Sequence, residues 1–199
     1  MKLYNRDQSG NCHKVRLLLS MLGLEYEKVP VDFDSGENRT PEFLRLSPRG
    51  QVPTLTDGDV TVWDSQAILV YLARRYGGEE WLPTEPVAMS EVMQWLAVSE
   101  NELLFGLARS RQTKKMKGPW PWDLVSKLGR SGLAVANEHL VGHEWLALDR
   151  PTIADLACYP YVALAHEGEI SLEDYPAVRA WMARIQALPG YVGMPGIGD

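Results

Sequence analysis

The stretch VPTLTDGDVTVWDSQAIL at residues 52–69 decides the fold of this 199-residue chain. Its Asp57-Gly58 pair lies between two runs in which apolar and polar residues alternate, which is the pattern of a tight hairpin between antiparallel strands. Asp64 and Ser65 then supply helix-capping side chains, and apolar residues recur after them at helical spacing. The stretch therefore predicts a β-β-α unit.

The residues before this stretch alternate between strand and helix patterns. KLYN, Lys2–Asn5, predicts a first strand, and the helical spacing after it ends at Gly23, a typical helix stop. YEKVPVD at residues 26–32 alternates like a strand, in which Pro30 favours the edge of the sheet. TPEFLRL at residues 40–46 places Thr-Pro at a helix start. The predicted order of elements is βαβαββα.

The pattern changes at GGEEWLPTEP, residues 77–86, because paired glycines and two prolines break both periods. Beyond it only helical spacing of the apolar residues is found. Four helices are predicted, roughly at residues 87–111, 121–142, 152–167 and 176–188. We therefore predict a fold of the α/β plus all-α class, with an α/β domain at 1–77, a linker at 78–86 and an all-helical bundle at 87–199.

Composition and charge argue against several classes of partner. A formal charge of −6, spread along the chain, gives no reason to expect nucleic acid. No run reaches the roughly 18 apolar residues of a membrane span, and the first residues lack the apolar stretch of a signal peptide. Cys12 and Cys158 are the two cysteines, which suits a reducing compartment. We expect a cytoplasmic protein without a membrane or nucleic-acid partner.

The histidines indicate no metal site. His139 and His143 form an i, i+4 pair, but no Glu or Cys arrangement completes a set of metal ligands around them. We expect the pair to lie on a solvated helix face and the protein to hold no metal.

Four short motifs, spread over both predicted domains, resemble those of the cytosolic glutathione transferases, and more closely the bacterial-type members with a serine or asparagine active site. SGNCHKV at 9–15 is similar to the family's active-site turn, and GQVPTL at 50–55 is similar to its segment with a cis-proline. WDSQAIL at 63–69 is similar to the family's γ-glutamyl-binding step, and RPTIADL at 150–156 is similar to its helical-domain capping motif. In the last motif, Thr152 and Asp155 also predict reciprocal capping of a helix start. The resemblance implies a thioredoxin-like first domain, glutathione as co-substrate and a homodimer.

The resemblance also implies which residues bind the middle of the tripeptide. Val52 precedes Pro53 and is therefore biased to an extended conformation, which makes its N–H and C=O available to a chain lying alongside. In the family, that chain is the cysteinyl backbone of glutathione. Gln51 would hold a further part of the tripeptide. The sequence leaves open whether the Val52-Pro53 bond is cis.

The two ends of glutathione are assigned in the same way. Asp64 and Ser65 lie at a helix start, where free N–H groups and the helix dipole can receive a carboxylate. By resemblance they would hold the γ-glutamyl end. A basic residue near the second helix, Arg39, would hold another part of the tripeptide, and the nearby Asn38 is the alternative at that place.

Ser9 and Asn11 are the candidate catalytic residues. A thiol with a pKa of about 8.5 is mostly protonated at neutral pH, and the thiolate is the nucleophile. A hydroxyl or amide donor aimed at sulfur, together with the positive end of a helix, stabilises the anion. Either residue could donate, and the resemblance favours Ser9 first and Asn11 second. The alternative is that both residues only cap the helix.

Cys12 stands where a thioredoxin-like protein has its second, resolving cysteine. Because Ser9 occupies the first position of that pair, an internal two-thiol cycle is unavailable. Cys12 could contact glutathione and form a mixed disulfide if its thiol were exposed. A side chain turned toward the core is the alternative.

The leading hypothesis is a glutathione transferase that delivers the thiolate to a small hydrophobic electrophile held between the domains, for detoxification. Candidate lining residues of that pocket are Phe105, Arg109, Trp120 and Trp122. One alternative is glutathione-dependent reduction of disulfides or peroxides. Another is a non-catalytic interaction module, which is disfavoured because a scaffold has no need of thiol and carboxylate donors.

Overall fold

The computed structural model describes residues 1–197 and contains one mixed sheet. Its strands are β1 Lys2–Asn5, β2 Glu27–Pro30, β3 Thr54–Asp57 and β4 Val60–Trp63. They lie in the order β2-β1-β3-β4, with β1 parallel to β2 and antiparallel to β3, and with β3 antiparallel to β4. A parallel pair needs a crossover, which α1 Gly10–Met21 supplies, whereas Gly58 with φ of 57° closes the hairpin. The predicted thioredoxin-like topology is confirmed.

Two further helices complete the first domain. α2 Pro41–Leu46 begins at the predicted Thr40 cap, and α3 Ser65–Leu72 continues as a π-helical turn, Ala73–Gly77. The segment predicted as a linker at 78–86 is not wholly irregular, because its first residues form α4 Gly78–Trp81, and the side chain of Trp81 is buried. No periodic pattern predicts a helix there, because the turn is only four residues long and contains a single buried apolar residue, Trp81.

The second domain is helical, as predicted. α5 Pro86–Val98, a π-helical segment Ser99–Ala108 and α6 Arg109–Met116 form one continuous helix, hereafter the long helix. The remaining longer helices are α7 Trp122–Leu140, α8 Ile153–Ala163 and α9 Pro176–Gln186. Within residues 1–197, no helix is both long and apolar enough to cross a membrane.

The long helix and α7 meet backbone to backbone. A Cβ atom placed on Gly106 would lie 2.3 Å from the Cα and N atoms of Gly129, and one on Gly132 would lie 2.6 Å from the Cβ of Glu102. No larger residue fits at Gly106 without moving a helix, because the neighbouring atoms belong to the backbone. These glycines therefore fix the distance between the two helices.

α8 packs against α1 and thereby joins the domains. The predicted capping box is confirmed, since the Thr152 N–H donates to the Asp155 carboxylate at 2.9 Å while the Thr152 side chain caps the helix start. Asp155 also accepts from the Leu146 N–H at 3.0 Å and from Trp181 Nε1 at 2.8 Å. Burial raises the pKa of Asp155 to about 6.

The last described residues return to the first domain. Gly190 packs against α1, where an added Cβ would lie 2.9 Å from the Cα of Met21. His13, on the same helix, contacts the carbonyl oxygen of Val192 through Nε2 at 2.8 Å. The predicted helical domain therefore ends in a segment that covers α1, and its final residues, 198–199, lie outside the described part of the chain.

Candidate active site

A cleft of about 280 Å³ opens where the N-terminus of α1 faces the long helix. The first domain contributes Ser9, Asn11, Gln51, Val52 and Asp64 to its lining. A smaller recess adjoins it and is lined by several of the same residues together with Pro53 and Ser65. The structure thus brings seven of the nine predicted site residues to one place.

Ser9 is the N-cap of α1, and its position follows from the turn that precedes the helix. Its Oγ accepts a hydrogen bond from the Cys12 N–H at 3.3 Å. A hydroxyl oxygen that accepts in this way keeps its own proton available for another acceptor. Ser9 can therefore cap the helix and also donate into the cleft, so the two roles considered from the sequence are compatible.

Asn11 lies in the first turn of α1 and is half-buried. Its Oδ1 atom is buried and has no hydrogen-bond partner within residues 1–197. Tyr161, which comes from α8, also lines the cleft. Burial raises the pKa of Tyr161, so this phenol stays protonated at neutral pH.

Cys12 adopts the inward orientation that the sequence left open. Its side chain is 0% exposed, and its Sγ accepts from the Arg6 N–H at 3.5 Å. Burial raises the pKa of the Cys12 thiol, which disfavours the thiolate. The cleft that holds Ser9 and Asn11 is not lined by Cys12.

The Val52-Pro53 peptide bond is cis. The backbone N–H and C=O of Val52 take part in no hydrogen bond with the described residues 1–197. Val52 lines both the cleft and the recess. A peptide that lies alongside in an extended conformation would satisfy both groups.

Asp64 and Ser65 form the start of α3. Asp64 has φ of 79°, which is uncommon for a residue other than glycine, and its Oδ1 accepts from the Gln66 N–H at 2.9 Å. Ser65 is 2% exposed, and its Oγ has no hydrogen-bond partner within residues 1–197. An unpaired hydroxyl at a helix N-terminus suits a carboxylate.

Arg39 lies outside the lining of the cleft and the recess. Its guanidinium is directed at the Arg49 carbonyl oxygen at 3.4 Å, while the buried Asn38 donates to the Gly50 carbonyl oxygen at 2.8 Å. Both residues therefore support the loop that carries Gln51. Arg49 is a basic residue that lines both the cleft and the recess, and its Nη1 is 3.5 Å from the Asp64 carboxylate. Sequence reasoning missed Arg49, although it lies only two residues before Gln51.

An ion pair between a buried lysine and a glutamate that lines the cleft was also missed. Lys14 on α1 is fully buried, with Nζ 3.5 Å from the Glu100 carboxylate and 3.3 Å from Ser99 Oγ. Burial lowers the pKa of Lys14, and Glu100 opposes that effect. Glu100 also accepts from Gln66 Nε2 at 2.9 Å, so one carboxylate of the long helix contacts both α1 and α3.

The four residues expected to line the electrophile pocket divide into two pairs. Phe105 and Arg109 line the cleft. Trp120 does not, and its ring instead packs on Arg109, with the guanidinium carbon 4.4 Å from the ring centroid. Trp122 donates from Nε1 to the Gly168 carbonyl oxygen at 2.9 Å and is also absent from the lining.

The two histidines stack at the end of α7, with His139 in its last turn and His143 beyond the helix, so the pair does not form the predicted helix face. The rings of His139 and His143 are parallel, with centroids 4.1 Å apart. His143 Nδ1 lies 2.8 Å from the His139 carbonyl oxygen. In the part of the chain that the structure describes, no three His, Cys, Asp or Glu side chains are grouped to hold a metal ion.

Two family models match this chain. One is described as "Glutathione S-transferase, N-terminal domain" and covers residues 1–74, and the other as "Glutathione S-transferase, C-terminal domain" and covers residues 127–189. Together they account for more than half of the sequence. The first match falls in the sheet-containing part of the fold and the second in the helical part, where the long helix lies outside both matches.

Individual proteins show the same likeness over nearly the whole length. Glutathione S-transferase 3 of Zea mays is 34% identical over 96% of this chain and 91% of its own. Disulfide-bond oxidoreductase YfcG of Escherichia coli is 30% identical over 90% of this chain and 87% of its own. A crystal structure of a glutathione S-transferase from Pseudomonas fluorescens superposes with a TM-score of 0.91 at 35% identity, covering 97% of this chain and 98% of that one. The chain therefore belongs to the glutathione S-transferase family and is an enzyme of the glutathione transferase type.

Proposed function

We propose that Ser9, assisted by Asn11, holds the thiol of bound glutathione as a thiolate and presents it to a small electrophile for detoxification. The observation that carries this proposal is the geometry of Ser9, whose oxygen accepts from the Cys12 N–H and whose proton is left for an acceptor in the cleft. The N-terminal end of α1 adds its positive dipole. Each unit by which these donors lower the thiol pKa corresponds to about 1.36 kcal/mol.

Glutathione would lie across the recess and the cleft in an extended conformation. The unpaired N–H and C=O of Val52 would pair with its cysteinyl backbone, and the unpaired Oγ of Ser65 would donate to its γ-glutamyl carboxylate. The Asp64 carboxylate would attract the γ-glutamyl ammonium group. Gln51 and Arg49, which border both spaces, are placed to contact the rest of the tripeptide.

Two predicted contacts take a different role in this proposal. Arg39 acts by supporting the loop of residues 47–51, through the Arg49 carbonyl oxygen. Cys12 acts by packing, with its N–H fixing the Ser9 side chain. The electrophile would occupy the side of the cleft formed by Phe105 and Arg109. There the sulfur forms a bond to the electrophilic carbon, and the leaving group departs with its electron pair.

The ultraviolet absorbance of the thiolate, titrated with pH, tests the proposal. In the wild type, bound glutathione is expected to ionise at a lower pH than free glutathione. Ser9→Ala should return the pKa toward the free value and lower kcat/KM for 1-chloro-2,4-dinitrobenzene by about 100-fold, as loss of one transition-state donor does. Ser131→Ala, at an exposed serine of α7, is the matched control and should change neither quantity.

Two results would contradict the assignment. If bound and free glutathione ionise at the same pH in the wild type, no donor activates the thiol. If Asn11→Ala abolishes the shift and Ser9→Ala leaves it, Asn11 is the activating donor and Ser9 is a helix cap.

A second candidate is glutathione-dependent reduction of disulfides, favoured by the likeness to the Escherichia coli disulfide-bond oxidoreductase. Two glutathione molecules would supply the two thiols that reduce the disulfide, because the protein has no exposed pair of cysteines for this purpose. Cys12 is buried, and the position where a thioredoxin-like protein has the first cysteine of the pair is occupied by Ser9. The reduction of 2-hydroxyethyl disulfide, compared with conjugation of 1-chloro-2,4-dinitrobenzene at equal glutathione, distinguishes the two reactions. A much larger kcat/KM for the disulfide would make reduction the main activity.

We also propose a homodimer in the cytoplasm. An open groove of about 600 Å³ on the long helix is lined by Pro86, Met89 and Met93, and nearby Val87 is 65% exposed, so a second subunit would cover apolar surface there. Sedimentation velocity should give twice the chain's mass, and Met93→Glu should give a monomer.

The cytoplasmic location has its own support. Both cysteines are free thiols, which suits a reducing compartment, and cell fractionation tests whether the protein is in the cytoplasm.

A further inference from the structure

The long helix contributes two arginines, Arg109 and Arg111, to the lining of the cleft. Arg111 is only 4% exposed, and its guanidinium is held on two sides. Nε donates to the Glu167 carboxylate, and Nη1 donates to the Gln8 carbonyl oxygen at 2.8 Å. Nη2 is buried and has no hydrogen-bond partner within residues 1–197. A buried guanidinium nitrogen without an acceptor is costly, so a ligand that supplies an acceptor is favoured here.

Arg109, two residues earlier in the long helix, repeats this feature. Its guanidinium lies against the rings of Trp120 and Phe105, with centroids 4.4 and 5.5 Å away. Nη1 donates to the neutral Gln112 side chain at 2.6 Å, and Nε is buried without a partner among residues 1–197. No carboxylate of the described chain forms an ion pair with Arg109.

The acidic groups of the cleft leave this positive charge uncompensated. Asp64 is paired with Arg49, and Glu100 is paired with the buried Lys14. Glu167 faces Arg111 but also binds Lys115, so two cations share one carboxylate. The arginine side of the cleft therefore has a net positive charge, next to the apolar ring of Phe105.

We propose that the second substrate is an anionic electrophile, with a carboxylate or similar acid group held by Arg109 and Arg111 and an aromatic body packed on Phe105. This inference rests on the proposed function, because the electrophile reacts with glutathione in the same cleft. It narrows the substrate class from small hydrophobic electrophiles to those that carry an acid group. The planar guanidinium is suited to carboxylate oxygens, since it presents its donors in a fixed fork.

Binding of an unreactive pair of compounds tests the acid group directly. The protein is saturated with S-methylglutathione, so that glutathione's own carboxylates are accounted for, and titrated calorimetrically with 3,5-dinitrobenzoate or its methyl ester. The acid should bind about tenfold more tightly than the ester, the scale of one hydrogen bond between charged groups. Arg109→Gln and Arg111→Lys should each reduce this preference, and Arg179→Gln, at an exposed arginine of α9, should leave it intact.

Arg111→Lys removes Nη2 but keeps a positive charge beside Glu167. Arg109→Gln leaves the hydrogen bonds of Arg111 to Glu167 and Gln8 in place, because Arg109 contacts neither residue. If the Arg111 variant fails to fold, the Arg109 variant alone decides the matter. Equal affinity for acid and ester in the wild type would overturn the proposal. A preference that both arginine variants leave unchanged would overturn it as well.

Turnover of a reactive pair separates this proposal from the proposed function. With 4-chloro-3,5-dinitrobenzoate and its methyl ester, the glutathione sulfur bonds to the ring carbon, chloride leaves with the bonding pair, and the thiol proton passes to solvent. If the enzyme accelerates the reactions of acid and ester equally, each relative to its uncatalysed reaction with glutathione, the anion site is excluded while conjugation stands. A binding preference for the acid without turnover of either compound would support the anion site while conjugation fails.

Discussion

The imidazole Nε2 of His13 and the carbonyl oxygen of Val192 lie 2.8 Å apart, so the first helix is hydrogen-bonded to the last described segment of the chain. His13 is fully buried, and its Nδ1 has no hydrogen-bond partner within residues 1–197. The bond to Val192 needs a proton on Nε2, which the neutral ring can supply. Protonation of Nδ1 would create a buried charge without an acceptor. Burial accordingly lowers the pKa of His13 from 6.5 to about 4.

This pKa predicts a loss of stability in acid. Between pH 6.5 and 4, His13 is mostly protonated in the unfolded chain and mostly neutral in the folded protein. The free energy of unfolding therefore falls as the pH falls, because protons bind preferentially to the unfolded state. The full effect is about 3 kcal/mol. Urea unfolding at pH 7, 5.5 and 4.5 measures it, and His13→Gln should be less sensitive to pH than the wild type. Comparison with the variant removes the contribution of Asp155, whose raised pKa gives the opposite slope. Identical slopes would mean that His13 is protonated in the folded state.

Ser65→Ala should separate ligand binding from folding. The Ser65 hydroxyl is buried without a partner, so its removal should leave the thermal unfolding temperature of the ligand-free protein unchanged or slightly higher. Glutathione affinity, measured by calorimetry, should fall by about tenfold, because one hydrogen bond to a carboxylate is lost. A variant that binds glutathione as tightly as the wild type would exclude Ser65 from the site.

Neither cysteine should react in the folded protein. Cys12 and Cys158 are both buried, and burial raises the pKa of each thiol. An aromatic disulfide reagent should therefore detect no thiol under native conditions and two in guanidinium chloride. Rapid native labelling that disappears in Cys12→Ser would show an accessible Cys12 and would restore its role in a mixed disulfide.

Asp155→Ala should cost about 3 to 5 kcal/mol of stability, the range for breaking a buried polar network. The substitution leaves the N–H groups of Leu146 and Thr152 and the Trp181 indole without their acceptor. Chemical denaturation measures the loss. Asp149→Ala, at an exposed acidic residue in the preceding loop, is the control and should change stability by less than about 0.5 kcal/mol. A small effect at Asp155 would mean that water replaces the carboxylate.

Features determined by neighbours in sequence were predicted well. The hairpin at Gly58, the Thr40 cap and the box between Thr152 and Asp155 depend on residues within a few positions of one another. Ser9 and Asn11 belong to the same group, because a helix start places them side by side. Their predicted chemical roles are a separate matter, and the thiolate titration tests them.

Features that depend on distant contacts were not predicted. The loop that carries Arg49 is held by hydrogen bonds from Asn38 and Arg39 to the carbonyl oxygens of Gly50 and Arg49. These bonds span ten or more residues, so no local sequence pattern predicts them. Lys14 looks like a solvent-exposed residue of α1 until Glu100, 86 positions later, is seen beside it. Arg111 belongs to a short basic run that is usually solvated, yet its side chain is buried against Glu167.

The contact between Gly106 and Gly129 limits how this enzyme can change its choice of substrate. Because the two backbones already touch, the helix that carries Phe105 and Arg109 cannot retreat to admit a bulkier molecule. New specificity would have to arise by exchanging side chains on a stationary wall. Variants selected for larger electrophiles should therefore carry replacements at the positions that face the cleft and retain both glycines.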